Sequence, residues 1–311
     1  MSNLPSIAIV GTGAVGGFYG ALLQRAGFTV HYLLHSDYEY VCKYGLTIES
    51  SYGDFTLPIV NAYNDPKKMP RCDVVIVALK TTANHILKDV LPHLIHENSL
   101  MLTLQNGLGS EETISLITGS KNIYGGLCFL CSNKVGPGHI RHLDYGLITI
   151  GEYRSDKQPG GITPKLEKLG NTLQSADIPI RLENDLMLAR WKKLVWNIPF
   201  NGLSVLRNEL TDRLIGNPET RALCRTLMEE VATASAVCSR PIGSGFIEKM
   251  LQDTERMKPY APSMKLDFER GHIMEVESIY GNPLQVAKAC GVSMPETEKL
   301  YQKLQHLNSN I

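Results

Sequence analysis

The feature that most constrains this chain is a glycine turn, Gly11-Thr12-Gly13-Ala14-Val15-Gly16, set directly behind the apolar run Ile7-Ala8-Ile9-Val10. Residues 6–10 are expected to form a strand, with the apolar pattern of one buried on both faces. Residues 15–26 then carry the apolar spacing of a helix that closes at Gly27, where a C-cap glycine is expected. A second apolar stretch at 28–34 completes strand, turn, helix and strand within about 30 residues, a βαβ unit. That unit implies a parallel sheet with a right-handed crossover. The three glycines have separable duties: a tight turn, close approach of backbone to a pyrophosphate, and close packing of helix on strand. The N–H groups that open the helix offer a positive dipole end to phosphates. Three glycines alone are a weak signal, and the strand before and helix after supply the required context. Gly11, Thr12, Gly13, Ala14, Val15 and Gly16 are therefore read as dinucleotide-binding.

Further nearly continuous apolar runs at 72–79 and 99–104 are expected to be buried strands, and alternating patterns at 46–59 and 138–150 antiparallel ones. Beyond residue 184 the β signals give way to successive helices, expected at 185–197, 219–238, 245–257, 263–280, 282–289 and 295–307. The chain has 311 residues, above the roughly 250–300 at which single cores stop growing. The expected architecture is α/β: a Rossmann-like dinucleotide-binding domain over 1–184, followed by an all-α domain over 185–311.

Lys and Arg number 31 and Asp and Glu number 31, so the excess positive charge that a nucleic-acid partner requires is missing. Residues 1–5 carry no basic leader and the following apolar run is too short to span a bilayer. A cytoplasmic protein with no membrane partner is expected. Seven scattered cysteines suggest free thiols rather than a disulfide framework. The CxxC at Cys128 and Cys131 lacks a second ligand pair at zinc spacing, so no metal is expected. The helical domain leaves room for a homodimer, although no pattern specifies an interface.

Cofactor choice is read at the end of the second strand. There His35 and Ser36 can donate to a 2′-phosphate, whereas Asp37 lies where a carboxylate accepts from a ribose hydroxyl. Lys80 and Asn106 end apolar strands, the side of an open α/β sheet that lines the ligand crevice. Each has an ordinary alternative, a solvated strand end for Lys80 and a plain Asn-Gly turn for Asn106. Lys193, Asn197 and Asn201 recur at i, i+4 and i+8 among Trp, Leu, Val and Phe. One helical face would thus present an ammonium and two carboxamides from apolar surroundings, which suits a substrate wall better than a solvated face.

The chain resembles the ketopantoate reductase family, within the two-domain 6-phosphogluconate-dehydrogenase-like oxidoreductases. The resemblance runs through GTGAVGG at 11–17, VALK at 77–80, LQNG at 104–107, GPGHIRH at 136–142, WKKLVWNIPFN at 191–201 and PSMKLDFERGHIMEVESIYG at 262–281. It implies reduction of the ketone of 2-dehydropantoate to (R)-pantoate with NADPH, toward pantothenate and coenzyme A. By position it implies Lys193 as the proton-donating lysine and Glu275 as a catalytic glutamate at the cofactor. Asn197, Asn201 and Ser263 take the place of the substrate-holding residues. Lys80 and Asn106 match cofactor contacts, Asn106 also facing substrate. The residues themselves permit plainer duties, an N-cap for Ser263 and a solvated helix face for Glu275.

Departures from the family pattern fall at Tyr260, Met274 and residues 277–281 on the substrate side, and at His35, where an arginine is usual. A neutral imidazole binds a phosphate dianion less strongly than a guanidinium. NADP is the expected cofactor, with NAD left open. The rival readings are a reductase of another branched 2-keto acid and a non-catalytic NAD(P)-binding sensor; a sensor needs neither Lys193 nor Glu275.

Overall fold

The computed structural model describes residues 4–311. Residues 1–3, part of the stretch read above as lacking a basic leader, lie outside the described residues. The chain divides into two compact units, one built from residues up to Gln105 together with Ser110–Leu186, the other from Asn106–Gly109 and Met187–Ile311.

The first unit opens with β1 (Ile7–Val10), α1 (Ala14–Arg25) and β2 (Val30–Leu33). It continues through α2 (Tyr38–Tyr44), β3 (Leu46–Ser50), β4 (Phe55–Leu57), β5 (Asn61–Tyr63), β6 (Val74–Val77), α3 (Leu87–Leu94), β7 (Leu100–Thr103) and α4 (Ser110–Thr118). A long hairpin of β8 (Ile123–Gly136) and β9 (His139–Glu152) follows, then α5 (Pro164–Gln174) and β10 (Ile180–Glu183). Among the described residues one ten-stranded sheet runs β4-β3-β9-β8-β7-β6-β1-β2-β5, with β10 beside β9. Around β1 the pairing is parallel, to β2 on one side and β6 on the other.

Alternate residues of the central strands serve opposite cores. Ile7 and Ile9 join Phe18, Leu23 and Tyr32 on the α1 face. Ala8 and Val10 join Leu87, Val90 and Leu91 on the α3 face. This two-sided burial is why the strand sequences are apolar without alternation. Each fully buried aliphatic side chain of this kind contributes about 1.5–3 kcal/mol.

The second unit is helical: α6 (Leu186–Arg207), α7 (Thr211–Gly216), α8 (Pro218–Val237), α9 (Phe246–Arg256), α10 (Ser263–Glu269), α11 (Asn282–Ala289) and α12 (Pro295–Asn308). The helix expected to stop at residue 197 continues through Pro199 to Arg207. A proline inside a helix removes one backbone bond and disturbs the preceding turn. Here that turn has side-chain support: the Tyr280 hydroxyl donates to the Ile198 carbonyl at 2.8 Å, and the Asn201 carboxamide donates to the Asn197 carbonyl at 3.1 Å.

The single helix expected over 263–280 is broken. Gly271 takes φ +65°, its N–H reaches the Phe268 carbonyl, and the His272 N–H reaches the Asp267 carbonyl. That is the Schellman closure of a helix C-terminus on a left-handed glycine. The chain then resumes as a π-helical turn, Glu277–Gly281.

The expectation that all the cysteines are free is also corrected. Cys238 and Cys290, the C-cap residues of α8 and α11, form a disulfide with Cα atoms 5.7 Å apart. The pair is 52 residues apart in sequence, so spacing carries no sign of it. Cys42, Cys72 and Cys224 keep free thiols.

Candidate active site

In the first unit the glycine turn is a backbone cradle. Gly11 has φ +98°, and a Cβ there would lie 2.4 Å from the Leu79 amide nitrogen. A Cβ on Gly16 would lie 2.2 Å from the Gly11 carbonyl oxygen. Both positions are closed to any side chain. A Cβ on Gly13 would meet nothing within 4 Å, so the space above this residue is open. Gly13 is the N-cap of α1, no side chain caps that helix, and no acidic residue stands in its first turn. Helix N–H groups facing open space are the donors a pyrophosphate requires, so the residues present fit a dinucleotide.

Thr12 ties the turn to the end of β2 by donating from its hydroxyl to the Leu33 carbonyl at 3.1 Å. Beyond β2, His35 and Ser36 are exposed. Asp37 is only 5% exposed and is fully engaged by the protein. It accepts from Lys134 Nζ at 2.6 Å, from the Gly138 N–H at 3.0 Å and from the Ser36 hydroxyl at 3.1 Å. Burial pushes its carboxyl up, but the bonds from Lys134, Gly138 and Ser36 prevail and hold it below the ordinary aspartate value. Asp37 is thus a structural carboxylate rather than the ribose acceptor that its sequence position allowed.

Lys80 is exposed at the N-cap of a 3-10 turn, Thr81–Ile86. The buried Gln105 fastens this turn, donating to the Leu79 carbonyl at 3.0 Å and to Asn84 Oδ1 at 2.7 Å.

The second unit gathers the remaining side chains. Gly107 has φ +83°, and a Cβ there would lie 2.1 Å from the Ser278 carbonyl oxygen. Only a glycine lets the segment Asn106–Gly109 lie against the π-helical turn. The Leu108 N–H donates to the Ser278 carbonyl at 2.8 Å, and Asn282 donates to the Leu108 carbonyl at 2.7 Å. Held in this way, Asn106 accepts a 2.7 Å hydrogen bond from Lys193 Nζ. π-helical turns recur at functional sites because the extra residue re-aims local groups. This one anchors the partner of Lys193.

Asn197 and Asn201 are buried on the same helix. Asn201 Oδ1 accepts the Met264 N–H at 3.2 Å, so both ends of its carboxamide serve the fold. It satisfies a helix-start donor of α10 and thereby fixes the position of Ser263. Pro262, not Ser263, is the N-cap of α10, so the plain capping duty allowed for Ser263 is not the one found. Glu275 is 5% exposed, which removes the solvated-face alternative. The nearby Glu277 differs, accepting from the Tyr301 hydroxyl at 2.7 Å. Tyr260 and Met274, where the chain departs from the family pattern, pair through their backbone N–H groups with Thr211 and Asn308.

Sequence reasoning passed over Lys134 and Asn282. A lone lysine in a hairpin has no local signature, and Asn282 matters only through a residue 174 positions away. Among the described residues no group of three or more His, Cys, Asp or Glu side chains stands where it could hold a metal ion. No helix among them is long and apolar enough to cross a membrane.

Comparison with known proteins shows the family. The profile described as "Ketopantoate reductase PanE/ApbA" matches residues 7–155, and "Ketopantoate reductase PanE/ApbA C terminal" matches residues 185–308. A 2-dehydropantoate 2-reductase of Nostoc sp. (strain PCC 7120) is 54% identical over 306 residues, covering 98% of this chain and 96% of that protein. The crystal structure of 2-dehydropantoate 2-reductase from Geobacter metallireducens GS-15 superimposes with a TM-score of 0.93 at 40% identity, covering 97% of this chain and 99% of that one. The enzyme of the same name from Methylococcus capsulatus gives 0.88 at 30% identity, covering 98% and 97%. With both profiles matched in order and relatives aligned over nearly their whole length, the chain belongs to the ketopantoate reductase family.

Proposed function

We propose that this oxidoreductase reduces 2-dehydropantoate to (R)-pantoate in the cytoplasm, with NADPH as its preferred hydride donor. The observation that carries the reading is the 2.7 Å bond from Lys193 Nζ to Asn106 Oδ1, which fixes the direction of one half-buried ammonium. When bound in the glycine cradle, the nicotinamide dinucleotide supplies a hydride to the ketone carbon. Lys193 stabilises the negative charge that develops on the ketone oxygen and donates the proton that completes the alcohol. Asn106 holds the ammonium in a fixed direction. Asn197 and Ser263 orient the substrate, and Asn201 acts by keeping the start of α10, and with it Ser263, in place. Glu275 supplies a buried carboxylate beside the π-helical turn. In the first unit Lys80, His35 and the backbone of residues 11–16 hold the cofactor.

Oxidation of NADPH and of NADH against a panel of branched 2-keto acids that includes 2-dehydropantoate tests the proposal. Turnover is expected to be highest with 2-dehydropantoate and NADPH. Faster turnover of another keto acid reassigns the substrate, and tight cofactor binding without turnover of any acid removes the enzyme reading.

A further inference from the structure

The ion pair of Lys134 and Asp37 has no part in the proposed reaction. We propose that Lys134 selects the 2′-phosphate of NADP, taking the part for which position 35 offers only a histidine; this rests on the NADPH reading. Two tethers locate the lysine. Thr12 joins the glycine turn to the end of β2, and the Ser132 hydroxyl donates to the Ala14 carbonyl at 3.1 Å, which lays β8 beside the first turn of α1. Lys134 lies two residues farther along β8 and so shares the face of Ser132. Its ammonium then reaches Asp37 at 2.6 Å. The lysine is thereby held against the loop that follows β2, where the ribose 2′ substituent is read.

The chemistry of the cluster favours a phosphate over a free hydroxyl. Asp37 already accepts from Lys134, Gly138 and Ser36, so the carboxylate that would select NAD is occupied and buried. The Lys134 side chain remains 34% exposed, and an ammonium carries three donors. One proton goes to Asp37, which makes Asp37 a positioning residue for the cation. The exposed His35 and Ser36 stand just before Asp37 in the chain and supply further donors. A phosphate dianion placed among these groups meets the half-exposed Lys134 ammonium, whose counter-charge, the Asp37 carboxylate, is buried.

Fluorescence titration of NADPH and of NADH separates this role from a purely structural one. The wild type is expected to bind NADPH more tightly. Lys134→Met should weaken NADPH by about 10–100-fold, the loss of a charge-assisted bond, and leave NADH within about twofold. Lys134→Arg should retain most of the preference. Removing the lysine alone leaves a buried carboxylate unpaired, so the double variant Asp37→Asn with Lys134→Met supplies the same reading without that burden. Equal loss for both cofactors would mean that Lys134 only straps the hairpin to the loop. An unchanged NADPH preference would remove Lys134 as selector and leave the NADPH reading standing. A wild type that binds NADH as tightly as NADPH would overturn both.

Discussion

The glycine turn behind β1 is made of backbone, whereas the Lys193 cluster is made of side chains drawn from distant stretches of one unit. The first works by what is missing, since two of its three glycines have no room for a Cβ. The second works by what is supplied, an ammonium on a long helix and a carboxamide brought to it by a docked segment. A site of the first kind is written in consecutive residues. A site of the second kind exists only after the helices have packed.

The sharpest way to break this contrast is Lys193→Ala. A general acid contributes about 10²–10⁴-fold, so kcat should fall by that factor while cofactor binding stays near normal. Steady-state kinetics beside a binding titration would show it, and undiminished turnover would remove Lys193 as the proton donor. Next in size is reduction of the bond between Cys238 and Cys290. Closing a loop of this length is worth about 2–4 kcal/mol, so a thiol reductant should lower the thermal midpoint. Protection from hydrogen exchange should weaken in α8 and α11 and persist in β1 and β6. An unmoved midpoint would show that the bond adds no stability. The smallest effect is expected of Gly13→Ala. No atom stands within 4 Å of the added methyl and φ is an ordinary −91°, so stability should be unchanged. The methyl would occupy the space where a pyrophosphate approaches and weaken cofactor binding by about tenfold. Loss of stability without loss of binding would mean that the open space serves the fold instead.

Legibility followed the same division. The order β1, turn, α1 and β2 could be read directly because each element carries a local signal and Gly27 closes the helix with φ +93°. The break at Gly271 was also written in the sequence, but the apolar periodicity on either side outweighed one glycine. The extension of α6 past Pro199 was readable only in part: the spacing of Lys193, Asn197 and Asn201 carried the helix to residue 201, but the support from the Tyr280 hydroxyl, 82 residues from its backbone acceptor, has no local sign. Residue type and spacing brought Lys193, Asn197 and Asn201 together. They could not show that Asn201 would be engaged by Met264, nor that Asp37 would be taken by Lys134, because those partners are chosen by tertiary packing.

The segment Asn106–Gly109 has a consequence for how this protein can be divided or recombined. It is encoded inside the stretch that builds the first unit, yet it groups with the second. A fragment that begins at Met187 would carry Lys193 without Asn106, its hydrogen-bond acceptor. A chimaera joined there would place one parent's Gly107 against another parent's Ser278, at a contact with no room for a methyl group. The smallest portion that can be exchanged between relatives without disturbing Lys193 is therefore not either half of the chain but the two halves inherited together.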